Sequence, residues 1–186
     1  PVPAPKEAPA GRWPTRARVG LDARAIAGAG ITPGLAPGGA IAARLAVETG
    51  PAFRWLVHAG AVVAYRERAV LDGSFVFGWY AARVDAGPAL DLGPLRLSAG
   101  PTVRAGALSV SARDLPAAGG YTSFWGDVGG FVRADHALAP TVALSLMAEL
   151  AAPLQRQSFG IAGIEDPVHE IPPVIGIVSF GVALGR

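Results

Sequence analysis

Between Arg16 and Ala29 the chain alternates with a period of two. The odd positions are Ala17, Val19, Leu21, Ala23, Ala25, Ala27 and Ala29, all apolar. The even positions are Arg16, Arg18, Gly20, Asp22, Arg24, Ile26 and Gly28, and they hold every charge. Successive side chains of a strand point to opposite faces, so this spacing gathers the charges onto one face. A helix would scatter them around its axis, in spite of the helix-friendly alanines.

The pattern recurs along the chain. In Ala40–Glu48, Ile41, Ala43, Leu45 and Val47 oppose Arg44 and Glu48. In Phe53–Arg66, Phe53, Trp55, Val57, Ala59, Ala61, Val63 and Tyr65 oppose Arg54, His58, Gly60 and Arg66. In Leu95–Ser109, Leu97, Ala99, Val103, Ala105 and Ala107 oppose Arg96, Ser98, Thr102 and Arg104. Later, Val128, Gly130, Val132 and Ala134 oppose Asp127, Arg133 and Asp135, and Val142, Leu144, Leu146, Ala148 and Leu150 oppose Ser145 and Glu149. In the last segment Val174, Val178, Phe180, Val182 and Leu184 share a face, with Gly and Ser on the other. Ser74–Ala86 is less regular, because Arg83 and Asp85 share parity with Phe75, Phe77 and Trp79. Either aromatics line the polar face there or a bulge flips the register. Pro101 removes a ladder donor within the fifth segment and marks a local irregularity. The count comes to about eight strands, enough to close a small barrel.

Composition decides what surrounds such a barrel. The 186 residues are 51% hydrophobic and 16% charged, against about 25% charged in ordinary soluble domains. The mean hydropathy is +0.39. High apolar content and low charge exclude intrinsic disorder, and the scarcity of charge argues against a water-facing surface. The 25 Gly and 17 Pro also resist long helices. The charge-free stretch Ala25–Ala43 is long enough to cross a bilayer as a helix, but Gly28, Gly30, Pro33, Gly34, Pro37, Gly38 and Gly39 interrupt it. Ile171–Gly185 is shorter and opens on Pro172-Pro173, so no helix spans a membrane here. The 16 basic residues include one lysine, Lys6, and are dispersed among Asp and Glu, which argues against a nucleic-acid face. With no cysteine there is neither a disulfide framework nor a thiolate metal site.

Alternation alone does not say which face is outside. Three features assign the apolar face to lipid. The polar face mixes Gly and Ala with Arg, Asp and Glu and almost no Lys, which suits arginine–carboxylate pairing in a narrow lumen. Aromatic residues gather towards segment ends as a membrane girdle would: Trp13, Phe53, Trp55, Tyr65, Tyr121 and Phe124, with Trp125 beside them. The apolar faces run uniformly over the nine to eleven or so residues that a tilted spanning strand needs. Short connections are expected near Thr49–Pro51, Pro88–Gly93 and Ala137–Pro140, and longer ones near Ile31–Gly38, Glu67–Gly73, Ser111–Gly120 and Gln155–Pro172. An even strand number puts both ends on the short-turn side.

In this pattern the chain from Thr15 to Arg186 resembles the small outer-membrane β-barrels of the OmpA membrane domain, OmpX and OmpW type. The resemblance rests on alternation rather than on a diagnostic motif. It implies an eight-stranded antiparallel up-and-down transmembrane barrel in the outer membrane of a Gram-negative bacterium. Its partners would then be outer-membrane lipids, lipopolysaccharide and the outer-membrane assembly machinery. That family usually ends in an aromatic residue, whereas this chain ends Phe180-Gly-Val-Ala-Leu-Gly-Arg186. Either Phe180 or Leu184 serves, or the natural chain continues. Pro1–Pro14 reads as a Pro/Ala-rich linker or disordered tail, either tethering an upstream periplasmic domain or left after signal cleavage.

The chemistry expected of the lumen is structural. Asp22, Arg24, Arg44, His58, Arg104, Asp127, Arg133 and Glu149 form a polar network, in which Asp22, Asp127 and Glu149 pair with arginines. About eight strands enclose a space that side chains can fill, which favours a plug over a conducting path. Enzymatic barrels of this size need a serine activated by histidine and an acid. No serine stands two residues after His58, His136 or His169, as a lipid A deacylase pattern would require. The acidic loop Glu165–Glu170 lacks calcium-loop spacing and reads as solvated. The glycine-rich GAGITPGLAPGG lacks the Lys-Ser/Thr of a phosphate loop, so neither metal nor cofactor is expected. The expected role is structural or anchoring, with recognition through the long loops. A lipid A- or phospholipid-modifying enzyme and a narrow porin-like channel are the alternatives.

Overall fold

A computed structural model describes residues 16–50, 52–70, 73–113, 120–159 and 169–185. The segment 1–14, with Trp13, lies outside the described residues, as does most of the acidic loop Glu165–Glu170. The strands are β1 (Arg16–Ala29), β2 (Leu35–Glu48), β3 (Phe53–Val70), β4 (Gly73–Leu92), β5 (Leu95–Arg113), β6 (Gly120–Ala139), β7 (Val142–Pro153), β8 (Ser158–Phe159), β9 (His169–Glu170) and β10 (Ile175–Leu184). Eight of them close an antiparallel barrel in the order β1-β10-β7-β6-β5-β4-β3-β2, and β8 and β9 pair separately.

Pairing fixes the stagger. From Arg16 the register runs through Glu48, Arg54, Ala89, Ser98, Arg133, Met147 and Ser179 and returns to β1 at Ile26, ten residues along. Ten residues of stagger around eight strands about 4.8 Å apart correspond to a tilt of about 40°. β4 keeps one register with β3 from Phe53↔Leu90 to Val70↔Gly73, so no bulge flips it. Phe77 and Trp79 therefore share the inward face with Arg83 and Asp85, and both are fully buried. Between β4 and β5 the pairing breaks after Asp85↔Thr102 and resumes at Ala89↔Ser98 in the same register. Pro88 and Pro101, which have no N–H to donate, both lie in that gap, and β5 continues through it.

Several connections differ from the expected ones. The paired strands run further, because backbone groups keep their partners past the apolar band. β3 continues to Val70 and β4 starts at Gly73, so most of the expected loop Glu67–Gly73 is ladder. β2 begins at Leu35, inside the expected loop Ile31–Gly38. β4 runs on through Leu92 to a two-residue turn, where Gly93 takes φ +65°, the positive φ that tight hairpins require. A second tight turn joins Ala139 to Val142 after an irregularity between Ala137 and Ala139. The last segment carries Ile175 and Ile177 on its inward face beside Ser179, so that face is not only Gly and Ser.

The outward face is apolar throughout the central band. Val19, Ile41, Val63, Val84, Val103, Val132, Leu146, Leu150 and Val178 are all exposed. Aromatic side chains stand at two levels. Phe53 and Trp55 sit near the short turns, edge to face with centroids 6.5 Å apart. Tyr65, Tyr80, Tyr121 and Phe124 stand exposed towards the other end. From Trp55 to Tyr65, β3 rises about 33 Å along its length, or about 25 Å of height at this tilt, the height of a barrel's lipid-facing band.

Candidate functional site

The site is the lumen, and the inward parity of each strand builds it in tiers. At the short-turn end Arg18 pairs with Glu48 at 3.1 Å. Arg54 pairs with Glu48 at 3.7 Å and with Asp91, which also takes Arg96 at 2.7 Å. Arg18 is half exposed, so this tier meets solvent.

The next tier centres on Arg133. Its Nη1 and Nη2 donate to the two oxygens of Asp22 at 2.7 and 3.1 Å, and its Nε donates to Asp135 at 2.7 Å. Nη1 also lies 3.0 Å from His58 Nε2. Arginine only donates, so Nε2 is the acceptor and the ring proton sits on Nδ1. Arg44 stands 3.9 Å from Asp135.

Above it, Glu149 bridges two arginines, accepting from Arg83 at 3.0 Å and Arg104 at 2.9 Å. Arg83 also donates to both oxygens of Asp85, at 2.7 and 2.6 Å, and Thr102 donates to the same carboxylate at 2.6 Å. Arg104 Nε donates to Asp127 at 2.8 Å, whose other oxygen accepts from Trp125 Nε1 at 2.8 Å. The Arg104 guanidinium lies 5.4 Å from the Trp79 ring. Planar guanidinium forks satisfy carboxylates two bonds at a time, which explains why these cations are arginines and not lysines.

Towards the long connections the lumen turns apolar. Ile26, Ile31, Val62, Trp79, Leu108, Trp125, Ile171, Ile175 and Ile177 form one buried cluster with Phe159 against it. The β8–β9 ribbon lies on this mouth: Phe77 meets Phe159 and His169 edge to face, at 5.8 and 6.2 Å. His169 Nε2 is 3.1 Å from the carbonyl of Gly30, which ties the ribbon to the β1–β2 connection. Burial pushes this imidazole below its ordinary value, against its bonds to the backbone of Gly30 and Ile31.

Asp22, Arg24, Arg44, His58, Arg104, Asp127, Arg133 and Glu149 are all inside and at most 4% exposed. Arg24 stands apart from the rest: it makes no ion pair with a carboxylate among the described residues, and its Nη1 rests on the sulfur of Met147. Phe53, Trp55, Tyr65, Tyr121 and Phe124 are exposed, whereas Trp125 is buried in the lumen. Its two-residue spacing from Asp127 carries that signal. Residue patterning missed Tyr80 on the outer wall, together with Met147, Ile175 and Ile177 inside. The shared parity of Phe77 and Trp79 with Arg83, like that of Trp125 with Asp127, points to an aromatic interior. His136 is exposed near the β6–β7 turn, away from the lumen histidine. Among the described residues, no histidine forms a hydrogen bond with a serine or threonine hydroxyl.

No protein-family model and no curated protein sequence matches this chain. Solved structures do. A major outer membrane protein from Thermus thermophilus superposes with a TM-score of 0.68 at 18% identity, covering 91% of this chain and 99% of the other. Neisserial surface protein A gives 0.51 at 18% identity, covering 91% and 97%. Ail, the attachment invasion locus protein of Yersinia pestis, gives 0.51 at 12% identity, covering 90% and 96%. At such identities the likeness is one of fold. The chain has the fold of the small eight-stranded outer-membrane β-barrels, with an uncharged wall outside and paired charges within.

Proposed function

We propose that this outer-membrane barrel is a structural, membrane-anchoring protein with a plugged lumen, and that recognition belongs to the structure raised above its apolar band. The near-complete burial of the lumen charges carries this reading. The side chains of Arg44, Arg83, Arg104, Asp127 and Glu149 are at most 1% exposed. A water-filled path would leave its lining charges wet. Here arginine–carboxylate pairs cross the bore, and an apolar mouth seals the end beside the long connections.

The strand lengths support the second half of the reading. A spanning strand needs about nine to eleven residues, yet β3, β4, β5 and β6 have 18, 20, 19 and 20. β3 and β4 rise above the tyrosine level as a paired hairpin, and β5 runs beside it to Arg113, with Arg66, Glu67 and Arg113 exposed there. Outer-membrane lipid and lipopolysaccharide would meet the wall and its aromatic rows, and the assembly machinery would insert it. β1 begins and β10 ends on the short-turn side, so an upstream periplasmic domain would hang there.

Planar-bilayer recording of the purified full chain tests the plug. The expected result is no stepwise conductance above that of the bare bilayer. Steady unitary steps in the wild type that change when Arg83 or Glu149 is neutralised would instead establish a channel.

A further inference from the structure

The charges of the deep lumen balance in number, but their contacts are uneven. Arg24, Arg44, Arg83, Arg104 and Arg133 are buried there with Asp22, Asp85, Asp127, Asp135 and Glu149. Each of these carboxylates is engaged by an arginine other than Arg24: Asp22 and Asp135 by Arg133, Asp85 by Arg83, Asp127 by Arg104, and Glu149 by Arg83 and Arg104. Arg96 uses Asp91 at the solvent-facing end. Arg24 is the buried arginine that no carboxylate contacts among the described residues. It is 4% exposed, and its Nε and Nη2 have no hydrogen-bond partner.

Its surroundings are built for a guest. Arg24 is paired in register with Gly181 of β10, and Gly181 with Ser145 of β7. A Cβ on Gly181 would collide with the Arg24 backbone and Cγ, so the missing side chain lets the arginine stem cross β10. The guanidinium ends on Met147, which is paired with Ser179 and lies two residues from Ser145. The Ser145 and Ser179 hydroxyls are both buried without a partner. A second cation reaches the same sulfur, with Arg83 Nη2 3.8 Å from it. Arg83 Nε is likewise buried without a partner. Two guanidiniums thus converge on a thioether, a weak acceptor with no charge to offer them. An unpaired buried cation is costly, and a group that accepts from several donors at once removes that cost.

We infer that Arg24, with the Ser145 and Ser179 hydroxyls and the Nε edge of Arg83, binds a small monovalent anion of the halide class inside the barrel. A halide accepts from every direction, whereas a water in the same place must also find acceptors for its own protons. The guanidinium N–H groups at the site only donate, so a water there would have to turn the Ser145 and Ser179 hydroxyls into acceptors, whereas a halide leaves every one of these groups donating. The anion supplies the contacting counter-charge that Arg24 lacks and enters as the barrel closes. The site does not depend on the anchoring role, because a plugged or a conducting barrel would need the same counter-charge.

Bromide is the probe. The full chain is refolded from urea into detergent micelles in sodium bromide or in sodium gluconate of equal ionic strength, and thermal unfolding is followed by circular dichroism. The wild type should gain stability with bromide in a saturable way, and crystals grown in bromide should show an anomalous peak beside Arg24. Arg24→Leu should lose the bromide dependence while remaining folded. Should Arg24→Leu fail to fold, the double variant Ser145→Ala/Ser179→Ala keeps the cation and decides the matter. Its half-saturating bromide concentration should rise about tenfold for two lost hydrogen bonds. Equal wild-type melting in bromide and gluconate without an anomalous peak, or wild-type bromide dependence in either variant, would overturn the site.

Discussion

Along β4 the inward side chains change character within a few positions. Arg83 and Asp85 are clamped in ion pairs, whereas Ala81 and Trp79 belong to the apolar mouth and Phe77 packs on Phe159. Both stretches fill the same bore and are buried to the same degree. The difference lies in what each demands of its neighbours. A carboxylate such as Glu149 needs two particular guanidiniums at hydrogen-bond distance, so this part of the lumen admits few arrangements. Ile171 or Ile175 needs only apolar volume around it, and that part can resettle when a neighbour changes. The ion-paired tiers therefore fix the cross-section of the barrel, and the mouth closes it.

Three measurements would break or sharpen this contrast. The largest effect is expected at Glu149→Leu, which leaves Arg83 and Arg104 short of a shared counter-charge in a buried site. Urea unfolding from detergent micelles should show a loss of about 3–5 kcal/mol, as for other buried pairs deprived of one member. A loss below about 1 kcal/mol would show that the network adapts as freely as the mouth. Ile175→Ala comes next. It removes methyl groups from the apolar cluster without orphaning a charge. The same assay should give about 2–3 kcal/mol, towards the low end for such truncations because connecting segments beside it can settle into the gap.

The smallest effect concerns pH at the mouth. Burial holds the His169 pKa below its ordinary 6.5. The open form therefore binds protons more readily than the docked one. Docking of the β8–β9 ribbon should be fully favourable above about pH 6.5 and weaken as pH falls from there through the depressed value. Hydrogen exchange at Ile171, whose N–H donates to the Gln157 carbonyl at 3.0 Å, should quicken over that range. His169→Phe should remove the pH dependence, while the tiers around Arg133 stay protected throughout.

The two regions were not equally legible in the residue order. Where one face is charged and the other apolar, as around Asp22, His58, Arg104 and Glu149, parity identifies the inward residues directly. Where both faces are apolar, parity carries no information. Ile175 and Ile177 pass unnoticed beside Val178 and Phe180, and Trp125 reads as a girdle residue beside Phe124. The long β3–β4 hairpin was also hidden. Paired strand above the lipid band has no need of an apolar face, so Glu67–Gly73 resembles a loop although most of it is ladder, and so do Ser111–Arg113 of β5. The isolated Arg24 is invisible to any pattern, because a count of charges does not say which of them meet.

The sequence by itself determined the strands, their period, the apolar outer face and the charged inner one, because alternation is a local property written into neighbouring residues. Only the tertiary structure decided the register, and with it the partner of each charge, the apolar packing of the mouth and the arginine that no carboxylate meets among the described residues. Those outcomes depend on residues as distant as Asp22 and Arg133, which closure of the ring alone brings to hydrogen-bond distance.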